Sequence, residues 1–198
     1  YNINFLKCDG TTRGGQFIVK DTLSENIFTP EDFSEEQKMM RDSVKEFVDR
    51  ELWPNKIRFE QKDYAFTEEA MRKAGALGFL GVAVPEEIGG LGMGFVSTML
   101  TCDYISGASG SFSTAFGAHT GIGTMPITLY GNEEQKNKYV PKLASGEWFG
   151  AYCLTEPGAG SDANSGKTKA ELTADGKFNK KAYENYLRSL GYKIKYRW

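Results

Sequence analysis

The 198 residues predict a mainly helical fold: an all-α domain followed by the opening of a β domain. Three observations predict it. Between Phe33 and Leu129, apolar residues recur at helical spacing in segment after segment. At Trp148-Phe149-Gly150-Ala151-Tyr152-Cys153-Leu154-Thr155 that period disappears, and the aromatic, apolar run reads as a buried strand. Of the 23 glycines, 18 lie between Gly75 and Gly166, so the middle of the chain is where a ligand or a second backbone comes close.

Residues 1–32 mix glycine, threonine and charge around one apolar run, Phe17-Ile18-Val19, and read as an extended arm with weak strand character. Ser34 and Gln37 form a capping box that opens a helix, and Met40, Val44, Phe47, Val48 and Leu52 give it one buried stripe. Pro54 is expected to stop it. A second helix is expected from Thr67, with Glu68 and Glu69 beside its positive end, Ala70, Met71, Ala74 and Leu77 on its apolar face, and Gly78 as the left-handed residue past its end. Gly78 to Gly94, with Pro85-Glu86-Glu87 and Gly89-Gly90, reads as irregular. Val96, Met99, Leu100 and Ile105, then Phe112 to Leu129, read as core helices. The small residues Gly107, Ala108, Gly110, Ala115, Gly117 and Ala118 suggest that these pack closely. Asn132 caps a short helix through Gln135 and Tyr139 that is expected to end at Pro141.

Composition removes several chemistries. His119 is the one histidine, so a site needing two His ligands is excluded. Cys8, Cys102 and Cys153 are widely spaced and odd in number, which argues against a disulfide framework and for a reducing compartment. There is no apolar run of about 18 residues and no signal-peptide core. The chain reads as soluble and intracellular, in a bacterial cytoplasm or, alternatively, a mitochondrial matrix. It opens at Tyr1 rather than Met, so a start upstream is expected. Net charge is −2, but Lys177 to Trp198 holds seven basic residues against Glu184 alone. Residues 1–176 keep 17 basic and 25 acidic residues.

Candidate sites are few. Leu154-Thr155-Glu156-Pro157-Gly158-Ala159-Gly160-Ser161-Asp162 follows the expected strand and is either an ordinary Gly/Pro turn or a loop whose amides and hydroxyls hold an anion or the polar edge of a planar cofactor. It is neither a dinucleotide-binding G-x-G-x-x-G nor a Walker loop. His119 lacks a nucleophile elbow to serve and reads as a packing or surface histidine; Cys102 and Cys153 read as inert buried thiols. Glu35-Glu36, Glu68-Glu69 and Glu133-Glu134 read as helix-dipole partners, not catalytic pairs. Phe178, Tyr183, Tyr186, Tyr192, Tyr196 and Trp198 are interleaved with cations in the tail, but the acidic body argues against nucleic acid as a partner.

Leu154-Thr155-Glu156-Pro157 followed by Gly160-Ser161-Asp162 resembles the flavin-binding signature of acyl-CoA dehydrogenases. Gly78-Phe79-Leu80-Gly81-Val82 with Pro85 to Gly92, Gly131 to Tyr139, and Pro141 to Glu147 are similar to further stretches of that family in order and spacing. The Ala118-His119 stretch is similar to its very-long-chain branch. The resemblance implies an N-terminal arm over residues 1–32, a helical N-terminal domain over 33–147, the start of a middle β domain over 148–177, cut before its sheet closes, and a basic aromatic tail of unassigned origin over 178–198. It implies FAD as cofactor, a fatty acyl-CoA substrate, an electron-transferring flavoprotein as acceptor and a homo-oligomer. Tyr152, Cys153, Leu154, Thr155, Gly160 and Ser161 would contact FAD, and Ser161 would also touch the acyl-CoA. The resemblance ends near Lys177, where Phe178-Asn179-Lys180-Lys181 replaces the family's Trp-containing strand. The family's catalytic glutamate lies in a C-terminal helical domain that this chain lacks, so no catalytic residue is named and the isolated chain is expected to be inactive. The alternative is a non-catalytic helical binding or assembly module derived from the same fold.

Overall fold

The computed structural model describes residues 28–168 and two short strands, β1 (Phe5–Leu6) and β2 (Thr12–Arg13), which pair antiparallel with Phe5 opposite Arg13. The Phe17-Ile18-Val19 run and the basic tail lie outside the described residues. The chain divides into two compact units, Tyr1–Ala151 and Tyr152–Trp198.

The first unit is helical. Helix α1 (Glu35–Phe47) opens on the expected capping box: the Gln37 amide donates to Ser34 Oγ at 3.2 Å and the Ser34 amide donates to Gln37 Oε1 at 3.0 Å. Pro54 does not end the helical path. The chain widens into a π turn (Val48–Leu52), in which the Trp53 amide reaches back to the Val48 carbonyl. It continues through a 3₁₀ turn (Trp53–Asn55) into α2 (Lys56–Glu60). The wider turn makes room for a ring that an α turn would push against the carbonyl four residues back. Helix α3 (Tyr64–Ala76) begins before Thr67, because Asp63 caps it by accepting from the Phe66 amide at 3.1 Å. Glu68 and Glu69 therefore lie past the first turn. They pair with Arg72 at 2.8 Å and Lys73 at 3.0 Å, one helical turn on, rather than facing the dipole. Gly78 follows at φ +82°, the left-handed residue expected there.

Helix α4 (Phe95–Ala108) lies against α1. Its buried face is Ser97, Thr101, Ile105 and Ala108, whereas Phe95 and Met99 are exposed. Apolar residues go right round this helix, so sequence spacing could not tell its inner face from its outer one. Helices α5 (Gly110–Gly117) and α6 (Met125–Tyr130) are joined by a second π turn, Ala118–Thr124. Gly107, Gly110 and Gly117 have open space where a Cβ would go, so they do not mark close packing. Helix α7 (Glu133–Ala144) opens on the Asn132–Gln135 box and runs through Pro141 to Ala144, with the Ser145 amide bonded to the Pro141 carbonyl. Burial of Val140, Leu143 and Ala144 offsets the missing proline N–H. The core is a phenylalanine stack: Phe59 meets Phe66 at 5.1 Å and Phe112 at 5.2 Å, and Phe47 meets Phe79 at 5.6 Å. Each such ring contributes roughly 1.5–3 kcal/mol through burial.

The expected strand Trp148–Thr155 does not form. A strand needs a partner edge, and among the described residues none runs beside it, so Trp148, Phe149, Tyr152 and Leu154 are 40–56% exposed. Residues up to Ala151 are instead a strap laid on the helical unit. The Trp148 amide donates to the Lys142 carbonyl at 3.0 Å. Buried His119 lies beneath: the Gly150 amide donates to Nδ1 at 2.9 Å, and Nε2 donates to the Leu143 carbonyl at 3.0 Å. Gly123 and Gly150 touch backbone to backbone, since a Cβ on Gly123 would fall 2.6 Å from the Gly150 carbonyl carbon. Thermal unfolding should separate two glycine replacements. Gly123→Ala is expected to destabilise by about 1–3 kcal/mol through overpacking, whereas Gly107→Ala, in open space within a helix, should stabilise by roughly 0.5–1 kcal/mol.

Candidate functional site

The six residues expected to contact a cofactor all belong to the second unit, and each can be placed. Tyr152, Cys153, Leu154 and Thr155 follow one another on an exposed segment without regular structure. A tight turn, Glu156-Pro157-Gly158-Ala159, comes next, closed by two backbone hydrogen bonds: the Glu156 amide to the Ala159 carbonyl at 3.1 Å and the Ala159 amide to the Glu156 carbonyl at 3.0 Å. This pairing makes Thr155 and Gly160 the next residues on either side of the turn, so the two halves of the candidate set are brought together at its mouth. Ser161, also exposed, follows. No hydrogen bond to another described residue engages the backbone amides of Tyr152 to Thr155, Gly160 or Ser161. Amides without a partner among the described residues, the Thr155 and Ser161 hydroxyls and the exposed Tyr152 and Leu154 side chains fit a flat group with a polar edge. Cys153 is an exposed free thiol, not a buried one.

One organising residue was missed from the sequence. Glu156 does not point at the candidate set; its carboxylate folds the loop by accepting from the Lys167 amide at 2.7 Å and the Thr168 amide at 3.0 Å. Hydrogen bonding from the Thr168 side chain first, then from these amides, holds its carboxyl below the usual range. The only sequence sign was a carboxylate beside Pro-Gly with acceptor capacity to spare. Asp162 closes the far end: its carbonyl accepts from the Ser165 amide and hydroxyl at 3.1 and 2.8 Å.

A second feature lies within the helical unit. A narrow apolar pocket of about 200 Å³ opens between α4, the π turn and the 79–84 turn, bordered by Val84, Thr98, Met99, Cys102, Thr120 and Met125. The threonines there are effectively apolar. Thr98, Thr101 and Thr120 spend their hydroxyls on the carbonyls of Gly94, Ser97 and Phe116, one turn back. Half-burial raises the Cys102 thiol above its ordinary pKa, so it stays protonated and unreactive. The pocket can take alkyl and has no group to do chemistry on it.

The loop makes a testable demand on Glu156. Because its folded-state pKa is depressed, amide protection at Lys167 and Thr168 is present above the ordinary carboxylate range and lost as pH falls through the lowered value. In hydrogen-exchange NMR, Glu156→Gln, which keeps one acceptor oxygen in place of two, should expose one of the two amides at neutral pH.

The acyl-CoA dehydrogenase N-terminal domain family model matches residues 34–147. A probable acyl-CoA dehydrogenase of Bacillus subtilis is 44% identical over 170 residues, 86% of this chain and 28% of that protein. Mitochondrial isovaleryl-CoA dehydrogenase of Bos taurus is 41% identical over 143 residues, 72% of this chain and 34% of its own length. The solved acyl-CoA dehydrogenase of Bacillus anthracis, complexed with FAD, superposes with a TM-score of 0.74 at 47% identity, covering 84% of this chain and 28% of that one. The chain thus spans about a third or less of the relatives named here. With the family model matching more than half of its residues, the chain belongs to the acyl-CoA dehydrogenase family and carries that family's N-terminal domain.

Proposed function

We propose that this chain forms the helical and flavin-facing portion of an FAD-dependent acyl-CoA dehydrogenase that introduces an α,β double bond into a fatty acyl-CoA. The observation that carries the reading is the exposed segment Tyr152–Thr155 with Gly160 and Ser161 beside it, its amides unbonded to any other described residue, in a chain 47% identical to a relative solved with FAD. Tyr152, Cys153, Leu154, Thr155, Gly160 and Ser161 would hold FAD through side-chain contact, hydroxyls and backbone amides, and Ser161 would also touch the acyl-CoA. Bound there, FAD supplies the hydride acceptor. Within the helical unit by itself, the apolar pocket bordered by Met99 and Met125 would take an alkyl group.

General-base removal of the α-proton needs a carboxylate within hydrogen-bond reach, and among the described residues the loop's own carboxylate, Glu156, is taken up by the Lys167 and Thr168 amides. On this reading the 198 residues bind and orient without turning over. Electrons leave to an electron-transferring flavoprotein, and the working enzyme is a homo-oligomer, in the cytoplasm of a bacterium like the Bacillus relatives or, alternatively, in a mitochondrial matrix. Among the described residues no helix is long and apolar enough to cross a membrane. Within the family, the Ala118-His119 stretch favours the very-long-chain branch, whereas the Bos taurus relative is of isovaleryl type; competition between palmitoyl-CoA and isovaleryl-CoA for the chain decides between them.

Titration of the purified chain with FAD, followed by flavin fluorescence and absorbance, is expected to show binding, and adding acyl-CoA should leave the flavin oxidised. Thr155→Ala should weaken FAD about fivefold, the worth of one neutral hydrogen bond. Bleaching by acyl-CoA would overturn the assignment of inactivity. A well-folded, monodisperse chain that takes up no FAD would overturn the cofactor assignment in favour of a non-catalytic helical module.

A further inference from the structure

The His119 ring is 1% exposed, and its two nitrogens carry opposite duties. The Gly150 N–H points at Nδ1, which must therefore keep its lone pair; the ring proton sits on Nε2 and is donated to the Leu143 carbonyl. One backbone donor fixes the tautomer. Adding a second proton would set N–H against N–H at Gly150 and break that bond. The π turn that carries His119 is tied by Thr124, whose hydroxyl donates to the His119 carbonyl at 2.7 Å, while the ring itself is held at both nitrogens.

Among the described residues no carboxylate is bonded to the ring. Gly110 to Tyr130 contains no Asp, Glu, Lys or Arg, and neither does Phe79 to Val84. From α7, Tyr139 stacks with Trp148, and Lys142 is bound to Glu147 at 2.9 Å. From α3, Arg72 lies over the Phe149 ring at 5.1 Å and donates to the Gly146 and Glu147 carbonyls. The nearest ring, Phe149, meets His119 edge to face at 5.8 Å. Burial accordingly pushes the imidazole below its ordinary pKa, opposed only by the Leu143 bond.

We propose that His119 is a positioning residue for the cofactor-facing segment, its neutral ring fixing the backbone at Gly150, two residues ahead of Tyr152, and releasing it on protonation. The proposal rests on the reading that Tyr152–Thr155 face FAD. The folded value is depressed, so the released state takes up the proton first. Anchorage is complete above about pH 6.5 and is lost as pH falls through the lowered value.

Two substitutions in the full 198-residue chain divide the ring's two duties. His119→Asn keeps an acceptor near the place of Nδ1 and does not titrate. His119→Gln keeps a donor toward Leu143 and offers Gly150 no acceptor. FAD affinity, read by fluorescence between about pH 5 and 8, should fall on acidification in the parent and stay flat in His119→Asn. In His119→Gln it should be about fivefold weaker throughout, the worth of one hydrogen bond. Amide exchange at Gly150 should accelerate in His119→Gln and not in His119→Asn. Equal behaviour of the two variants, or an unchanged pH profile in His119→Asn, overturns the proposal, since a merely space-filling ring would be missed alike in both. If parent and variants all fail to bind FAD, the cofactor reading falls. The exchange rate at Gly150 and across Tyr152–Thr155, measured against pH in the parent, then decides the anchor by itself: rates that do not rise on acidification overturn it.

Discussion

A neutral imidazole can accept one hydrogen bond and donate another at the same moment, and the last part of the helical unit is assembled around that property. His119 joins three stretches that are distant in sequence: the π turn between α5 and α6, the C-terminal end of α7 and the strap at Gly150. No other side chain type offers both functions on opposite sides of a flat ring. The π turn is part of the same arrangement, since it carries Gly123, whose backbone meets that of Gly150 with no side chain between them. Removing any of the three leaves a buried polar group without a partner, which costs more than the bond itself is worth.

What could be read from the sequence divides by the range of the interaction responsible. Ser34 with Gln37 and Asn132 with Gln135 are local chemistry, complete within four residues, and both caps stand as expected. Asp63 is hidden as a cap because Thr67-Glu68-Glu69, four residues on, imitates a helix start. The two prolines misled in the same direction. Each disfavours helix locally, yet a π turn relieves Pro54 and the buried flank Val140, Leu143 and Ala144 carries α7 past Pro141. Trp148–Thr155 failed for the opposite reason: its composition is that of a strand, but a strand is a property of two segments and composition describes one.

The candidate site shows the same division. The exposed run and turn at Tyr152 to Ser161 were legible as a loop able to hold a ligand, because Pro and Gly announce backbone geometry. Glu156 was not legible, since its partners are the Lys167 and Thr168 amides and backbone donors leave no mark in a sequence. The hidden polarity of the helical pocket was out of reach too. Only the structure reveals that Thr98, Thr101 and Thr120 commit their hydroxyls to carbonyls one turn back, which leaves the space between them apolar. A cavity lined by residues of mixed character behaves as a hydrocarbon surface.

The backbone contact between Gly123 and Gly150 ties two positions 27 residues apart into one unit of inheritance. A side chain at either would have to displace the other's main chain, so no replacement at one can be rescued by a further replacement at its partner, glycine being already the smallest. Paired positions in a core usually drift together, one growing as the other shrinks; this pair has no such freedom. Descendants of the fold can lose the crossing by rebuilding the turn or the strap, but they cannot modify it gradually.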